Sequence, residues 1–256
     1  MPRYYGYHIG EFMLGIVGMG KLGTAFARGF LNAGVKIVAY DRQEERLELE
    51  GIQKASSPEE VFEKSEMVFL AVKPDAMAPL LESAPKGKIL VSPAAKLRLE
   101  EMQKSSPDAK IIRVMPNIAA AENLSPIPYS PGKLVSTEEE EAFRELFSRV
   151  GVTVRIEESR MDIITAIVGS SPAYFAYFAR AMREAAKDGG VPEETANLLL
   201  AQVLSGTGAL LSKSSCEEIM EKVTTKGGVT EKGIKELESA AVYQAIKHAI
   251  KFQSKK

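Results

Sequence analysis

Residues Leu14 to Ala33 constrain this chain more than any other stretch. A short apolar run, Leu14-Gly15-Ile16-Val17, leads into Gly18-Met19-Gly20-Lys21-Leu22-Gly23, and Thr24 to Ala33 then reads as a helix stopped by Gly34. A strand that turns through three spaced glycines into a helix fits a pyrophosphate. The first glycine permits the tight turn, the second lets the phosphates approach the backbone, and the third lets helix and strand pack closely. The helix amides then face the anion. Val35 to Tyr40 reads as the next strand and ends at Asp41-Arg42, with Asp41 lying 23 residues after Gly18 (41 minus 18). That spacing turns a weak hexapeptide into a dinucleotide-binding reading; the bland alternative is a glycine-rich turn in an unrelated α/β domain. Gly18, Met19, Gly20, Lys21, Leu22 and Gly23 are therefore candidate cofactor-binding residues. Asp41 suits a free ribose 2′-hydroxyl, hence NAD, whereas Arg42 suits a 2′-phosphate, hence NADP. Arg42 tilts the reading slightly to NADP and leaves NAD open.

The pattern continues as strands alternating with helices. Met67–Val72, Lys88–Ser92, Lys110–Val114 and Val152–Ile156 read as strands; Glu44–Glu50, Pro74–Leu81, Leu97–Lys104 and Thr137–Val150 read as helical, and Ser57-Pro58-Glu59-Glu60 reads as a helix start. Ser57 and Pro58 supply a cap and a first-turn proline. Such alternation predicts a parallel sheet with right-handed crossovers. The pattern changes at Glu157-Glu158. Beyond it no strand is evident; Met161–Lys187 reads as helical apart from the Ser171-Pro172 step, and Pro192–Ser212, Glu217–Val223 and Thr230–Lys251 read as helices. The expected organisation is an α/β Rossmann-type N-terminal domain with a parallel sheet over residues 13–157, followed by an all-α domain over 158–252. Pro2–Phe12, aromatic and polar, stands ahead of the expected start of the fold at Met13.

Charge and residue counts exclude whole classes. With 33 Lys plus Arg against 34 Asp plus Glu, the net charge of −1 gives no basic excess for a nucleic-acid partner. One cysteine, Cys216, excludes an internal disulfide framework and any multi-thiolate metal site. The only histidines are His8 and His248, at opposite ends, so no metal site is expected. The uncharged stretch between Asp162 and Arg180 is broken at Gly169-Ser170-Ser171-Pro172 and falls short of the about 20 apolar residues of a membrane span. The N-terminus has no basic-then-apolar secretory pattern. A cytoplasmic protein without membrane association is the expectation.

The missing chemistry is informative too. Hydride delivery to a carbonyl leaves an alkoxide that needs a proton donor. The interior of the chain offers no histidine, and its two Tyr-x-x-x-Lys pairs, Tyr129–Lys133 and Tyr243–Lys247, lie in a Pro-Gly turn and near the C-terminus. A protonated imine accepts hydride directly and needs far less acid catalysis, so positioning can supply most of the rate effect.

Several segments then fall in order: Ala71-Val72-Lys73-Pro74, Arg113-Val114-Met115-Pro116-Asn117, Asp162 to Tyr174, Glu184 to Val191, and Gly227-Gly228-Val229-Thr230. From Met13 to about Leu237 this series resembles pyrroline-5-carboxylate reductase, the last enzyme of proline synthesis. The resemblance implies a Rossmann domain and a helical dimerisation domain that forms a homodimer, often assembled further. It implies hydride transfer from NADPH or NADH to the C=N bond of 1-pyrroline-5-carboxylate, giving proline. Carried over by position, the glycines hold the pyrophosphate, and Val72, Lys73 and Pro74 form a loop beside the adenosine and nicotinamide ribose. Met115, Pro116 and Asn117 line the nicotinamide. Gly227, Gly228, Val229 and Thr230 hold the substrate carboxylate, with Thr230 also orienting the ring or its nitrogen. Glycines and a threonine at a helix start suit an anion on physical grounds as well.

Four turns depart from the family pattern. Ser171 stands where the family has a glycine, Lys226 where it has a proline, Lys96 where it has a glycine, and Ile118-Ala119 where it has Thr-Pro. Each touches a turn expected to face cofactor or substrate. Two alternatives therefore stay open: a divergent paralogue acting on another small imine or hydroxyacid, and a non-catalytic dinucleotide-binding sensor or assembly protein. A β-hydroxyacid dehydrogenase would need a second-domain lysine followed by an asparagine, which Lys187 and Asn197 match poorly.

Overall fold

A computed structural model describes residues 3–4, 7–8 and 12–253. Cα proximity divides the chain into two units, residues 1–169 and 170–256. The expectation for Pro2–Phe12 falls largely outside the described residues. Within them, β1 (Arg3–Tyr4) and β2 (Tyr7–His8) pair antiparallel, and Phe12 is buried in the core.

The first unit is built on an eight-stranded sheet. Its strands are β3 (Met13–Val17), β4 (Lys36–Tyr40), β5 (Ile52–Lys54), β6 (Met67–Leu70), β7 (Ile89–Ser92), β8 (Lys110–Val114), β9 (Ser125–Pro131) and β10 (Gly151–Arg155). They lie in the order β10-β9-β8-β7-β6-β3-β4-β5. All neighbours are parallel except β8 and β9, which are antiparallel. The helices are α1 (Lys21–Asn32), α2 (Pro58–Lys64), α3 (Met77–Ser83), α4 (Leu99–Ser105), α5 (Thr137–Phe147) and α6 (Met161–Val168).

Strand alternation sends successive side chains to opposite faces, and both faces are covered. Ile16, Ile37, Phe69 and Val91 meet Phe26 and Phe30 of α1 and Phe143 and Phe147 of α5. Val17, Val38, Val68 and Leu90 meet Val61, Phe62, Met77, Leu81 and Met102 of α2, α3 and α4. Phe26 stacks on Phe69 with centroids 4.5 Å apart, and Phe30 meets Phe147 edge-on at 5.2 Å. This is the three-layer arrangement of a Rossmann-type domain.

Several expectations need correction. β9 was not foreseen, because Ser125-Pro126-Ile127-Pro128-Tyr129-Ser130-Pro131 carries three prolines, which argue against an interior strand. The ladder explains their tolerance. On the β10 side, the Ser125 amide donates to Val150 O and Tyr129 O accepts from Ile156 N. Pro128 presents only its carbonyl, accepting from Met115 N at 2.9 Å just past the end of β8. The helix expected over Glu44–Glu50 is a single 3-10 turn, Glu44–Leu47, followed by Gly51 at φ +91 and the short edge strand β5.

The second unit contains, among the described residues, α7 (Ser171–Asp188), α8 (Glu193–Leu211), α9 (Cys216–Val223), α10 (Val229–Ser239) and α11 (Val242–Gln253). The single helix expected over Thr230–Lys251 is two helices. Ala241 adopts φ +55 between them and donates its amide to Glu238 O, closing α10 without a glycine to mark the break. Ala196, 3% exposed, is its one buried hydrophobic side chain among the described residues. Phe175, Tyr177, Met182, Leu198 and Leu199 are exposed. Helices so apolar on the outside call for a partner surface. No helix among the described residues is long and apolar enough to cross a membrane.

Candidate active site

The first unit gathers its candidate residues at the carboxyl ends of the parallel strands. β3 is flanked by β4 on one side and β6 on the other, so the chain reverses its direction of sheet growth there. Open α/β sheets bind ligands at that point. Gly18 follows β3 at φ +95, donating its amide to Tyr40 O at 2.8 Å. The three glycines have three separate reasons. A Cβ on Gly18 would lie 2.5 Å from Ala71 O, and one on Gly23 would lie 1.9 Å from Gly18 O. A Cβ on Gly20 would meet nothing within 4 Å, so this glycine faces open space.

Gly20 is also the N-cap of α1, with no side-chain cap and no acid in the first turn. The first-turn amides of α1 thus lack a side-chain acceptor at the end carrying the positive dipole. Lys21 is exposed, Leu22 packs partly against the core, and Met19 is buried in it. Thr24 Oγ1 donates to Met19 O at 3.0 Å and pins the turn. An open amide cradle beside Gly20 fits a pyrophosphate.

Asp41 closes β4 as the spacing predicts, but its carboxylate is engaged. Oδ2 accepts from the Met19 amide at 2.7 Å, Oδ1 accepts from the Gln43 amide at 2.9 Å, and Arg46 Nη1 lies 3.6 Å from Oδ2. Arg42 is exposed and makes no ion pair or hydrogen bond with another described residue. Val72 Cγ1 stands 3.0 Å from where a Gly18 Cβ would be, which sets the 72–74 loop beside the glycine turn. Lys73 is exposed, and Pro74 opens a 3-10 turn.

Met115, Pro116 and Asn117 leave β8 and are buried. Asn117 is a structural hub. Its Oδ1 accepts from Ala119 N at 2.9 Å, its Nδ2 donates to Val168 O at 3.1 Å, and its own amide donates to Ser125 Oγ at 3.0 Å. Two residues before this segment, Arg113 is 1% exposed. Its Nη1 meets Glu158 Oε1 at 2.6 Å, its Nη2 donates to Ala95 O at 3.0 Å, and Asp162 lies at 3.7 Å. Sequence reasoning missed this buried pair, since nothing in Arg113-Val114-Met115 marks the arginine as internal. Two cavities of about 220 and 370 Å³, one lined by Phe12, Glu66 and Lys110 and the other by Leu99, Ser130 and Arg155, include none of the candidate residues.

In the second unit, Gly227 adopts φ +76 and Gly228 is the N-cap of α10, again without a side-chain cap. Gly228 donates to Thr225 O at 2.9 Å, and a Cβ there would meet Thr225 Oγ1 at 2.4 Å. Val229 and Thr230 are exposed at the helix start. Sequence reasoning overlooked Glu231. Its Oε2 accepts from the Gly227 amide at 2.5 Å and its Oε1 from Lys235 Nζ at 2.8 Å. Lys235 first, and the Gly227 amide second, hold this carboxyl below the ordinary carboxylate range. The signal was available: an acid at the third helical position reaching back past the cap.

Comparison with known proteins agrees in both units. Residues 158–256 match the family model for pyrroline-5-carboxylate reductase dimerisation, and residues 13–96 match that for NADP oxidoreductase, coenzyme F420-dependent. The match to a dimerisation domain marks the helical unit as one that self-associates. A pyrroline-5-carboxylate reductase of Aquifex aeolicus is 33% identical, covering 95% of each chain. One from Arabidopsis thaliana is 30% identical, covering 94% of this chain and 92% of its own. The crystal structure of Plasmodium falciparum pyrroline carboxylate reductase with NADP bound superposes with a TM-score of 0.88 at 25% identity, covering 97% of both chains. On full-length identity, fold and the order of its site segments, this chain belongs to the pyrroline-5-carboxylate reductase family.

Proposed function

We propose that the protein reduces the C=N bond of 1-pyrroline-5-carboxylate to give proline, with NADPH as the preferred reductant. The observation that carries this reading is a pair of helix starts preceded by glycine and lacking side-chain caps, Gly20 for α1 and Gly228 for α10, in a chain of this family. Each is a ready anion site: one for a pyrophosphate, the other for a carboxylate. The bound nicotinamide supplies the hydride. The Gly18–Gly23 turn holds the pyrophosphate through the first-turn amides of α1, and the open space at Gly20 admits it. Arg42 takes the 2′-phosphate as a planar fork of donors, and Val72, Lys73 and Pro74 flank the adenosine and nicotinamide ribose.

Met115, Pro116 and Asn117 form the wall for the nicotinamide, held rigid by the hydrogen bonds of Asn117. The amides of Val229 and Thr230 fix the substrate carboxylate, while Gly227 and Gly228, whose amides are bonded to Glu231 Oε2 and Thr225 O, shape the turn beside it. The Thr230 hydroxyl orients the ring nitrogen, and no proton donor of the kind a ketone reductase needs is required. Residues 13–157 act as the nucleotide-binding domain and residues 158–252 as the substrate and dimerisation domain of a homodimer. The proposed setting is the cytoplasm.

The test is steady-state oxidation of NADPH and NADH with pyrroline-5-carboxylate and, in parallel, a panel of small hydroxyacids. Turnover of the cyclic imine is expected. Thr230→Ala should raise KM for the imine or lower kcat by about tenfold or more, the scale of one positioned polar contact, while the cofactor KM stays put. Equal losses for imine and cofactor, or turnover of hydroxyacids alone, would overturn the assignment.

A further inference from the structure

We propose that Asp41 is a positioning residue that sets the glycine turn through the Met19 amide, and that the 2′ position of the adenosine ribose is read by Arg42 and not by Asp41. This rests on the dinucleotide reading above. By its place in the sequence Asp41 would accept the ribose 2′-hydroxyl and repel a 2′-phosphate. The geometry gives it another task. Its side chain is 8% exposed, and each oxygen accepts a backbone amide. One of those amides, on Met19, lies inside the pyrophosphate turn and 22 residues away in sequence.

A carboxylate accepting a backbone N–H makes a charge-assisted bond, stronger than a neutral one. Met19 is also buried, and its carbonyl is held by Thr24 Oγ1. The turn is thus clamped on both sides of its second residue, once from β4 and once from α1. Arg46, 3.6 Å from Oδ2, offsets the remaining negative charge of Asp41. The repulsion that an acid here would exert on a 2′-phosphate is correspondingly weak. Arg42, the next residue, is exposed and unpaired among the described residues, so its donors face solvent. Discrimination and positioning are therefore divided between two adjacent residues.

The two roles predict different patterns of loss. The full-length protein is titrated with NADP+ and NAD+ by calorimetry as wild type, Asp41→Asn, Asp41→Ala and Arg42→Ala. Asparagine keeps the size but turns one acceptor into a donor facing an amide, so Asp41→Asn serves if Asp41→Ala folds poorly. Both Asp41 variants should raise Kd for NADP+ and NAD+ by the same factor, about tenfold, as expected for one charge-assisted bond lost from the shared pyrophosphate turn. In kinetics the cofactor KM should rise while kcat at saturation and the imine KM hold. Hydrogen exchange at the Met19 amide should speed up. Arg42→Ala should weaken NADP+ alone, by about tenfold. The proposal is overturned if an Asp41 variant tightens NADP+ or shifts the NADP+ to NAD+ ratio by more than about fivefold, roughly 1 kcal/mol. It is equally overturned if Arg42→Ala weakens both dinucleotides alike. If the wild type binds neither dinucleotide, the functional reading itself fails and this inference goes with it.

Discussion

Substituting Gly23 and Gly20 with alanine separates the packing role of the glycine turn from its binding role. A Cβ on residue 23 would lie 1.9 Å from the Gly18 carbonyl oxygen, where a relaxed contact needs about 3.5 Å. Both atoms are tied to backbone, so neither can rotate away, and α1 must retreat from the turn by more than about 1 Å. That helix carries Phe26 and Phe30, which are packed on Phe69 and Phe147. Overpacking of this kind costs about 1–3 kcal/mol. For a chain of this size that lowers Tm by about 2–4 °C per kcal/mol, or about 4–8 °C for a mid-range cost.

Gly20 is the opposite case. Its φ is −71 and nothing lies within 4 Å of its absent Cβ, so alanine is accommodated. The cost is the modest one of alanine at an N-cap, about 0.5–1 kcal/mol. Its methyl nevertheless projects where the pyrophosphate is proposed to sit, so Kd for NADP+ should rise at least about tenfold, or 1.4 kcal/mol. Thermal unfolding followed by circular dichroism, with and without NADP+, reads both quantities. Wild-type Tm in Gly23→Ala, or wild-type NADP+ binding in Gly20→Ala, would refute the reasoning.

Two further outcomes concern stability. Glu158→Ala strands the buried Arg113 guanidinium with only Asp162 and a carbonyl nearby. Breaking a buried pair costs about 3–5 kcal/mol, and the partly exposed Glu158 puts this one at the low end. Urea unfolding should register the loss, and Arg113→Met combined with Glu158→Leu should recover most of it; a single variant as stable as wild type would dismiss the role. Glu60 is held at about 2, against an ordinary 4.5, first by Lys64 and then by the amide and hydroxyl of Ser56. Its folded pKa is depressed, so its contribution is present above the unfolded value and fades as pH falls from 4.5 toward 2. Glu60→Gln should flatten the acid limb of the unfolding midpoint in that window. The change should be small because the group is exposed, and an unaltered limb would show that the pairing has no weight in solution.

How much of this was legible beforehand depended on the kind of interaction. The strands β3, β4, β6, β7 and β8 were readable because each is a run of apolar residues buried on both faces. β9 was hidden because its prolines are tolerated through its neighbours, Pro128 opposite the residue that follows β8 and Pro131 beyond the last pair with β10, a fact not of local sequence. The break at Ala241 was hidden because an alanine in the left-handed region carries no compositional mark. At the site, the glycines announced themselves by spacing, and the Val72 loop and the Val229–Thr230 helix start by resemblance. The bonds of Asp41 to Met19, Asn117 to Val168 and Arg113 to Glu158 join residues 22, 51 and 45 positions apart. No periodicity encodes such pairs. For that reason the sequence could place Asp41 at the nucleotide without revealing which atoms its oxygens hold.

The helices beyond Gly169 bury a single hydrophobic side chain, Ala196, among the described residues. Ordering roughly eighty residues opposes folding by about 1–2 kcal/mol each for the backbone alone, and so small an interior cannot offset that. A partner subunit would supply the missing burial, so for these helices folding and association are expected to be coupled and second order in protein. Dilution should melt the C-terminal helices while the phenylalanine-packed sheet survives intact, so an apparent melting temperature for the whole chain has meaning only alongside the concentration at which it was recorded.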